Sequence, residues 1–287
     1  MENYVILTDS SCDLPQDLAR SLGIEILSLE VVMENGETKQ NHEIDVKAFY
    51  EELRSKKQIT TSAVGIDRFM SFMEPYLAEG KDVLYLGFSS GLSGTFNAGF
   101  VATQELSEKY PDRKIYAVNT LCASLGQGLL VYLCAKMREA GAGIEEVRNY
   151  AEDNKLHLCH WFTVDDLFFL KRGGRVSAAT AVLGTMLSIK PVMHVDNAGK
   201  LINVSKARGR KAAIDTMFEK MKSTMLPDGN ETVFISHGDC IEDAEYLANR
   251  VRNELNIPNV EINYVGPVIG AHSGPGTLAL FYLGKER

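Results

Sequence analysis

The 287-residue chain is short of the features that would mark a specialised class. It has no basic excess: 38 acidic residues against 30 lysines and arginines leave a formal net charge of −8. That balance, with no long basic stripe, excludes the footprint of a nucleic-acid binder. No apolar run approaches the length of a membrane span. The start, Met1-Glu2-Asn3-Tyr4-Val5-Ile6-Leu7-Thr8-Asp9, lacks both the basic region and the apolar length of a secretory signal. The five cysteines (Cys12, Cys122, Cys134, Cys159 and Cys240) are scattered, odd in number and without a Cys-x-x-Cys pair. This argues against a disulfide framework or zinc knuckle and for reduced thiols in a cytoplasm. There is no internal repeat or low-complexity stretch. The remainder, 45% hydrophobic and 24% charged with 24 glycines, is the composition of a globular protein.

What is present is alternation. Strand patterns over Tyr4–Thr8, Ile24–Met33, Asp82–Phe88 and Lys114–Val118 are separated by helical ones. These run from Pro15 to Leu22, Asp45 to Lys56, Ile66 to Ala78, Thr95 to Lys109, Cys122 to Ala140 and Ile144 to Asn154. Asn35-Gly36 marks a hairpin. Strand–helix alternation of this kind predicts a mostly parallel sheet with helices on both faces. Ligands of such sheets lie beyond the carboxyl ends of the strands, so the loops after Leu7, Leu86 and Val118 are expected to gather there.

The second half has another rhythm. Strands over Leu156–Thr163, Lys190–Val195, Leu201–Lys206, Thr232–Ser236, Val260–Val265 and Leu278–Leu283 include a hairpin through Asn197-Ala198-Gly199. Helices are expected over Val164–Leu170, Ala178–Ser188, Gly209–Met225 and Ile241–Leu255. A mixed sheet with helices mainly on one face follows. The predicted architecture is α/β in two domains, residues 1–156 and 157–287.

Four regions are richer in Gly, Ser, Thr and isolated charge than plain connections require. They are Thr8–Asp13, Thr60–Gly65, Ser89–Thr95, and Lys171–Ser177 together with Gly270–Thr277. In Ser89-Ser90-Gly91-Leu92-Ser93-Gly94-Thr95 a strand runs through a Gly/Ser loop into a helix start, where unpaired N–H groups and the helix dipole favour an anion. Thr61, Ser62 and Ser93 supply hydroxyls, Arg172 and Arg175 guanidinium groups, and His272 an imidazole, a set suited to a carboxylate or phosphate. Each also has a plainer role: Thr61 and Ser62 as a helix cap, the arginines as surface cations, His272 as a turn residue. His157 and His160 are read as structural, and Asp165-Asp166 as a cap. The Ser89–Thr95 loop lacks the Lys-Ser/Thr of a phosphate-binding Walker loop. Gly-x-Ser-x-Gly does not occur, no His/carboxylate spacing suggests a metal, and nothing in the sequence fixes a Ser93–His272–Asp9 triad.

The pattern as a whole resembles the DegV family of bacterial fatty-acid-binding proteins. The resemblance is carried by Thr8-Asp9-Ser10-Ser11-Cys12-Asp13-Leu14-Pro15, Thr61-Ser62, Ser89–Thr95, Leu170-Lys171-Arg172-Gly173-Gly174-Arg175-Val176-Ser177 and Gly270-Ala271-His272-Ser273-Gly274-Pro275-Gly276. It departs at Ala63-Val64-Gly65, where the family usually has Gln-Pro-Ser, and at Ser273, where threonine is common. The resemblance implies a non-enzymatic, cytoplasmic lipid carrier with no cofactor and no metal. Its ligand is a long-chain fatty acid such as a C16 or C18 acid. The carboxylate is then expected on Thr61 and Ser93, with Ser62 and His272 nearby. A separate fatty acid kinase subunit phosphorylates it, Arg172 and His272 serving that encounter; contact with a membrane surface is left open. Residues beside the polar loops that suit an acyl tunnel are Phe96, Phe162, Val182, Leu183, Met186, Leu187 and Ile269. The competing reading is an enzyme, a serine hydrolase or small-molecule phosphotransferase using Ser93 and His272.

Overall fold

The structure, a computed structural model, describes residues 3–62, 64–177 and 189–287. The chain opens with β1 (Tyr4–Asp9), α1 (Gln16–Ser21) and β2 (Ile24–Leu27), then β3 (Glu30–Val32), β4 (Thr38–Gln40) and α2 (Val46–Arg54). Next come β5 (Thr60–Ser62), α3 (Ile66–Ala78), β6 (Asp82–Gly87), α4 (Thr95–Lys109), β7 (Ile115–Asn119), α5 (Leu125–Glu139) and α6 (Ile144–Asn154). The second half contains β8 (Leu158–Thr163), α7 (Leu167–Arg172), β9 (Ile189–Val195), β10 (Leu201–Arg208) and α8 (Arg210–Thr224). It ends with β11 (Thr232–His237), α9 (Ile241–Leu255), β12 (Asn259–Tyr264), α10 (Pro267–Ser273) and β13 (Leu278–Leu283). The helix expected over 178–188 lies outside the described residues.

The strands form three sheets. β2-β1-β6-β7 is wholly parallel. β10-β9-β8-β13-β11-β12 is mixed, with only β11 and β12 parallel. β4-β3-β5 is a small antiparallel sheet. The sequence expectation of a parallel and a mixed sheet holds.

Period-two alternation assigns the faces. In β1 and β6, Val5, Leu7, Val83 and Tyr85 pack with Phe69 and Met73 of α3 and Ala102 and Leu106 of α4. Ile6, Leu84 and Leu86 face the other way, onto Leu129 and Leu130 of α5 and Val147 of α6. The mixed sheet divides likewise. Trp161, Ile235 and Leu280 pack on Met217 of α8 and Leu247 of α9. Phe162, Phe234, Ala279 and Phe281 share the core of α5. Helices α8 and α9 therefore cover one face, and the opposite face is covered by α5 from the first half, with Leu167 and Leu170 of the short α7 beside it.

Helix α5 is thus pressed between two sheets, with Leu125 to Val131 buried without a break. Two glycines permit this. A Cβ on Gly126 would stand 2.1 Å from His160 Nε2, and one on Gly128 2.6 Å from the Cys12 carbonyl oxygen. Buried Gln127 donates through Nε2 to Thr8 Oγ1 (2.9 Å) and Asp9 Oδ2 (3.3 Å), tying the helix to the end of β1.

Three local expectations are corrected. The single strand over Ile24–Met33 breaks at Ser28–Leu29, because the Leu29 N–H donates to Ser10 Oγ (2.9 Å), and β3 joins a different sheet. Thr60–Ser62 is a strand and not a loop: it pairs with β3, and Gly65 precedes α3 in its place. The region expected as a loop from Ile269 lies largely in α10, which Pro267 opens at its first turn and Gly274 closes at φ +79°.

Replacing Gly126 by valine is expected to cost about 1–3 kcal/mol of stability through overpacking against His160. Urea unfolding should show a lowered midpoint with an unchanged slope.

Candidate functional site

The loops after β1, β6 and β7 meet at one edge of the parallel sheet, and Asp9 is what they meet on. Its fully buried carboxylate accepts from Ser11 N (3.1 Å), Tyr85 Oη (3.0 Å) and Phe88 N (3.0 Å), in addition to Gln127. Burial raises its pKa, against those hydrogen bonds. The β7–α5 loop is drawn in by Ser89 N donating to the Cys122 carbonyl (3.0 Å). That loop holds two non-glycine residues at positive φ, Leu121 (+55°) and Ser124 (+52°). Such strain persists where surrounding bonds over-determine it. Ala123 N donates to His160 Nε2 (3.3 Å), and Arg287 Nη1 donates to the Leu121 carbonyl (2.7 Å).

Between these loops, the start of α5 and the inner face of the mixed sheet lies a cavity of about 100 Å³, partly open to solvent. Its walls are largely apolar: Leu29, Phe88, Leu170, Val195, Val265 and Phe281 contribute. Its polar side chains include one connected cluster. Thr61 on β5 and His272 on α10 are joined by a 2.8 Å Oγ1···Nε2 hydrogen bond and both line the cavity. The imidazole lies directly on Gly173, where a Cβ would be 2.5 Å from Nδ1. Arg175 lines the same space; its Nε donates to the Leu92 carbonyl (3.2 Å) and its Nη1 to the Gly173 carbonyl. No carboxylate among the described residues pairs with it. Burial first, then the Arg175 and Arg172 guanidinium groups, push His272 down to about 4.

Ser93 also lines the cavity. Its Oγ stands 2.9 Å from Thr95 Oγ1 and accepts from Thr95 N (3.2 Å), which fixes the start of α4. The glycine before it serves another purpose than ligand approach. A Cβ on Gly91 would be 2.5 Å from the Ala198 carbonyl oxygen, so Gly91 lets the β9–β10 turn dock, where Ser89 Oγ donates to the Gly199 carbonyl (2.8 Å).

Of the residues singled out in sequence, Thr61, Ser62, Ser93, His272, Phe162 and Ile269 all line the cavity. Ser62 has its one O–H committed to Glu30 Oε2 (3.1 Å), in a network that Arg68 extends to Glu30 (2.5 Å) and Gln40 (2.5 Å). Phe96 is not in the lining. Its ring stacks on Tyr85 at 6.2 Å and Phe100 at 6.0 Å, on the far side of the sheet. Val182, Leu183, Met186 and Leu187 lie outside the described residues. Arg172 is exposed, its guanidinium 5.0 Å from the Phe169 ring centre, and Arg175 is the arginine of the cavity. The hydrolase triad is not assembled. His272 bonds to Thr61 and Ser93 to Thr95, and no hydrogen bond joins Asp9 to either. Sequence reading missed His160 as a cavity residue. Its ring is fixed with Nδ1 on the Leu158 carbonyl (2.9 Å) and Nε2 accepting from Ala123, and it stands edge-on to Phe281. Among the described residues no three His, Cys, Asp or Glu side chains converge as for a metal, and no helix is long and apolar enough to cross a membrane.

Fold and site together define an α/β protein with an internal cavity, apolar over most of its walls, with a hydroxyl–imidazole–guanidinium cluster on one of them. The chain belongs to the DegV family, whose model, described as that of an uncharacterised protein family, matches residues 3–285. A DegV domain-containing protein of Clostridium perfringens is 46% identical over 100% of this chain and 99% of its own. Among solved structures, a Thermus thermophilus DegV family protein described for fatty acid binding superposes with a TM-score of 0.88 at 30% identity, covering 98% of this chain and 99% of its own. Bacillus subtilis DegV, described as a fatty acid binding protein, has a TM-score of 0.82 at 29% identity over 99% of this chain and 100% of its own.

A His272 pKa near 4 in the fold, below the ordinary 6.5, means the unfolded chain binds more protons between those values. Stability from this group is full above pH 6.5 and is lost as pH falls towards 4. Proton NMR of the ligand-free protein should find the His272 ring neutral at pH 6; a ring that titrates at or above 6 would contradict the geometry. His272→Gln should flatten the acid limb of the stability profile.

Proposed function

We propose that this protein binds a long-chain fatty acid in the cavity and presents its carboxylate to a separate kinase. The observation that carries the reading is the pairing of apolar walls with a hydroxyl–imidazole–guanidinium cluster that has no carboxylate counter-ion among the described residues. Relatives described as fatty acid binding, at about 30% identity over nearly the whole chain, support it.

In this reading the carboxylate takes hydrogen bonds from Thr61 and Ser93, and His272 Nε2–H donates to Thr61 Oγ1 so that the threonine hydrogen turns to the ligand. Charge-assisted bonds of this type offset the cost of removing a carboxylate from water. Arg175 supplies the opposite charge. Ser62, bonded to Glu30, holds β5 in register and leaves the direct contact to Thr61. The acyl chain lies against Phe162, Ile269, Phe281 and their neighbours, where each buried methylene contributes about 0.8 kcal/mol. Arg172, exposed beside the cluster, meets the kinase, which brings the phosphoryl donor; His272 stands between ligand and encounter surface. In this reading the chain divides near residue 156 and the acid lies between the parallel and mixed sheets.

The test is organic extraction of the folded, purified protein followed by mass spectrometry, expecting one long-chain acid per chain. No extracted acid and no uptake of added lipid would end the proposal. Thr61→Val and Ser93→Ala should each weaken retention about tenfold, the equivalent of one hydrogen bond of about 1.4 kcal/mol. Arg172→Ala should keep retention and reduce acyl-phosphate formation with the kinase. Equal loss of retention in all three variants would contradict the assigned roles.

A further inference from the structure

Apart from the Thr61–His272 cluster, the cavity wall carries a second set of hydroxyls for which an alkyl chain has no use. Ser236, buried near the end of β11, shares a sheet face with Phe234 and is paired with Ala279 across the ladder. Ser124 stands just ahead of α5. Their oxygens are 3.0 Å apart, and Ser124 Oγ donates onward to Asp13 Oδ2 at 2.5 Å. Ser11, only 1% exposed, lines the same cavity; its hydroxyl leans towards the Asp9 carboxyl, whose pKa it helps to lower, without completing a well-formed hydrogen bond. Among the described residues no hydrogen bond connects this set with Thr61, Ser93, Arg175 or His272.

The available hydrogens can be counted. A serine has one O–H to give and two lone pairs to offer. Ser124 has one hydrogen for two neighbours, Asp13 Oδ2 and Ser236 Oγ. Ser236 keeps acceptor capacity towards the cavity and a hydrogen shared only with Ser124. Ser11 keeps its lone pairs and a hydrogen drawn only weakly to Asp9. An alkyl chain lying here would strip water from these oxygens and return nothing, and a buried polar group without a partner is costly. A chain carrying its own oxygen at this depth would satisfy them.

Resting on the fatty-acid reading, we propose that Ser11 and Ser236 form a second polar station that recognises a hydroxyl or oxo group within the acyl chain. The ligand class favoured by the cavity is then an oxygenated long-chain fatty acid. An all-apolar wall would disfavour a mid-chain hydroxyl by about tenfold or more relative to the plain acid. A site built to hydrogen-bond that hydroxyl reverses the preference.

The experiment is competition binding of stearic acid against a mid-chain hydroxystearic acid, on the delipidated full-length protein. The wild type should bind the hydroxy acid at least as tightly as stearic acid. Ser236→Ala and Ser11→Ala should each weaken the hydroxy acid about tenfold and leave stearic acid within twofold, and Ser236→Thr should restore the hydroxy acid. A wild type that binds the hydroxy acid tenfold more weakly, or variants that shift both acids equally, would overturn the second station while leaving fatty-acid binding intact. Failure to bind either acid would overturn both.

Discussion

The first two turns of helix α5 have no wet face, and most of the architecture follows from where their sides are buried. Seven consecutive residues, Leu125 to Val131, are covered by the parallel sheet on one side and the mixed sheet on the other. A helix apolar all round has to be enclosed in this way, and the enclosure is close only because Gly126 and Gly128 carry no side chain. Gln127, the one polar residue in that run, is tied to Thr8 and Asp9, which fixes the helix's rotation and its height along β1. The cavity is the space left just beyond its N-terminal end, where the loops after the parallel strands turn and the inner face of the mixed sheet continues past the helix.

That origin explains which parts were legible in the sequence. The strand–helix alternation, the hairpin through Gly199 and the Asp45 and Asp166 caps are local signals, and all are found in the structure. The long apolar helix was visible as well. What the sequence does not carry is the partner of a short strand. Thr60–Ser62 is three polar residues whose extended form exists only because β3 lies beside them, so period and propensity had nothing to report. The break at Leu29 depends on Ser10, nineteen residues away.

The site was read with the same strengths and gaps. Thr61, Ser93 and His272 stood out as isolated polar residues among small neighbours, and the cavity collects all three. The choice between Arg172 and Arg175 could not be made from spacing. It is decided by the end of α7, after which Gly173 and Gly174 turn the chain back, so that Arg175 reaches the Leu92 carbonyl while Arg172 stays in solvent over Phe169. Phe96 looked like lining because it follows Ser93 in sequence, yet the start of α4 turns its ring onto Tyr85 on the opposite face. Proximity along the chain was a poor guide wherever a helix began between two residues.

The electrostatics of the polar cluster favour a ligand of one sign. Arg175 is half-buried and its hydrogen bonds go to neutral carbonyls, Leu92 and Gly173, which orient the guanidinium without neutralising it. His272, seated on Gly173, is held neutral first by burial and then by the Arg175 and Arg172 guanidinium groups beside it. An arriving anion removes both penalties together: it compensates Arg175 and raises the imidazole's affinity for a proton. Cationic ligands are excluded by the same arrangement, and neutral ones gain nothing from it. Under the proposed function, the polar cluster would act on the charged end of a ligand and the apolar walls on its chain.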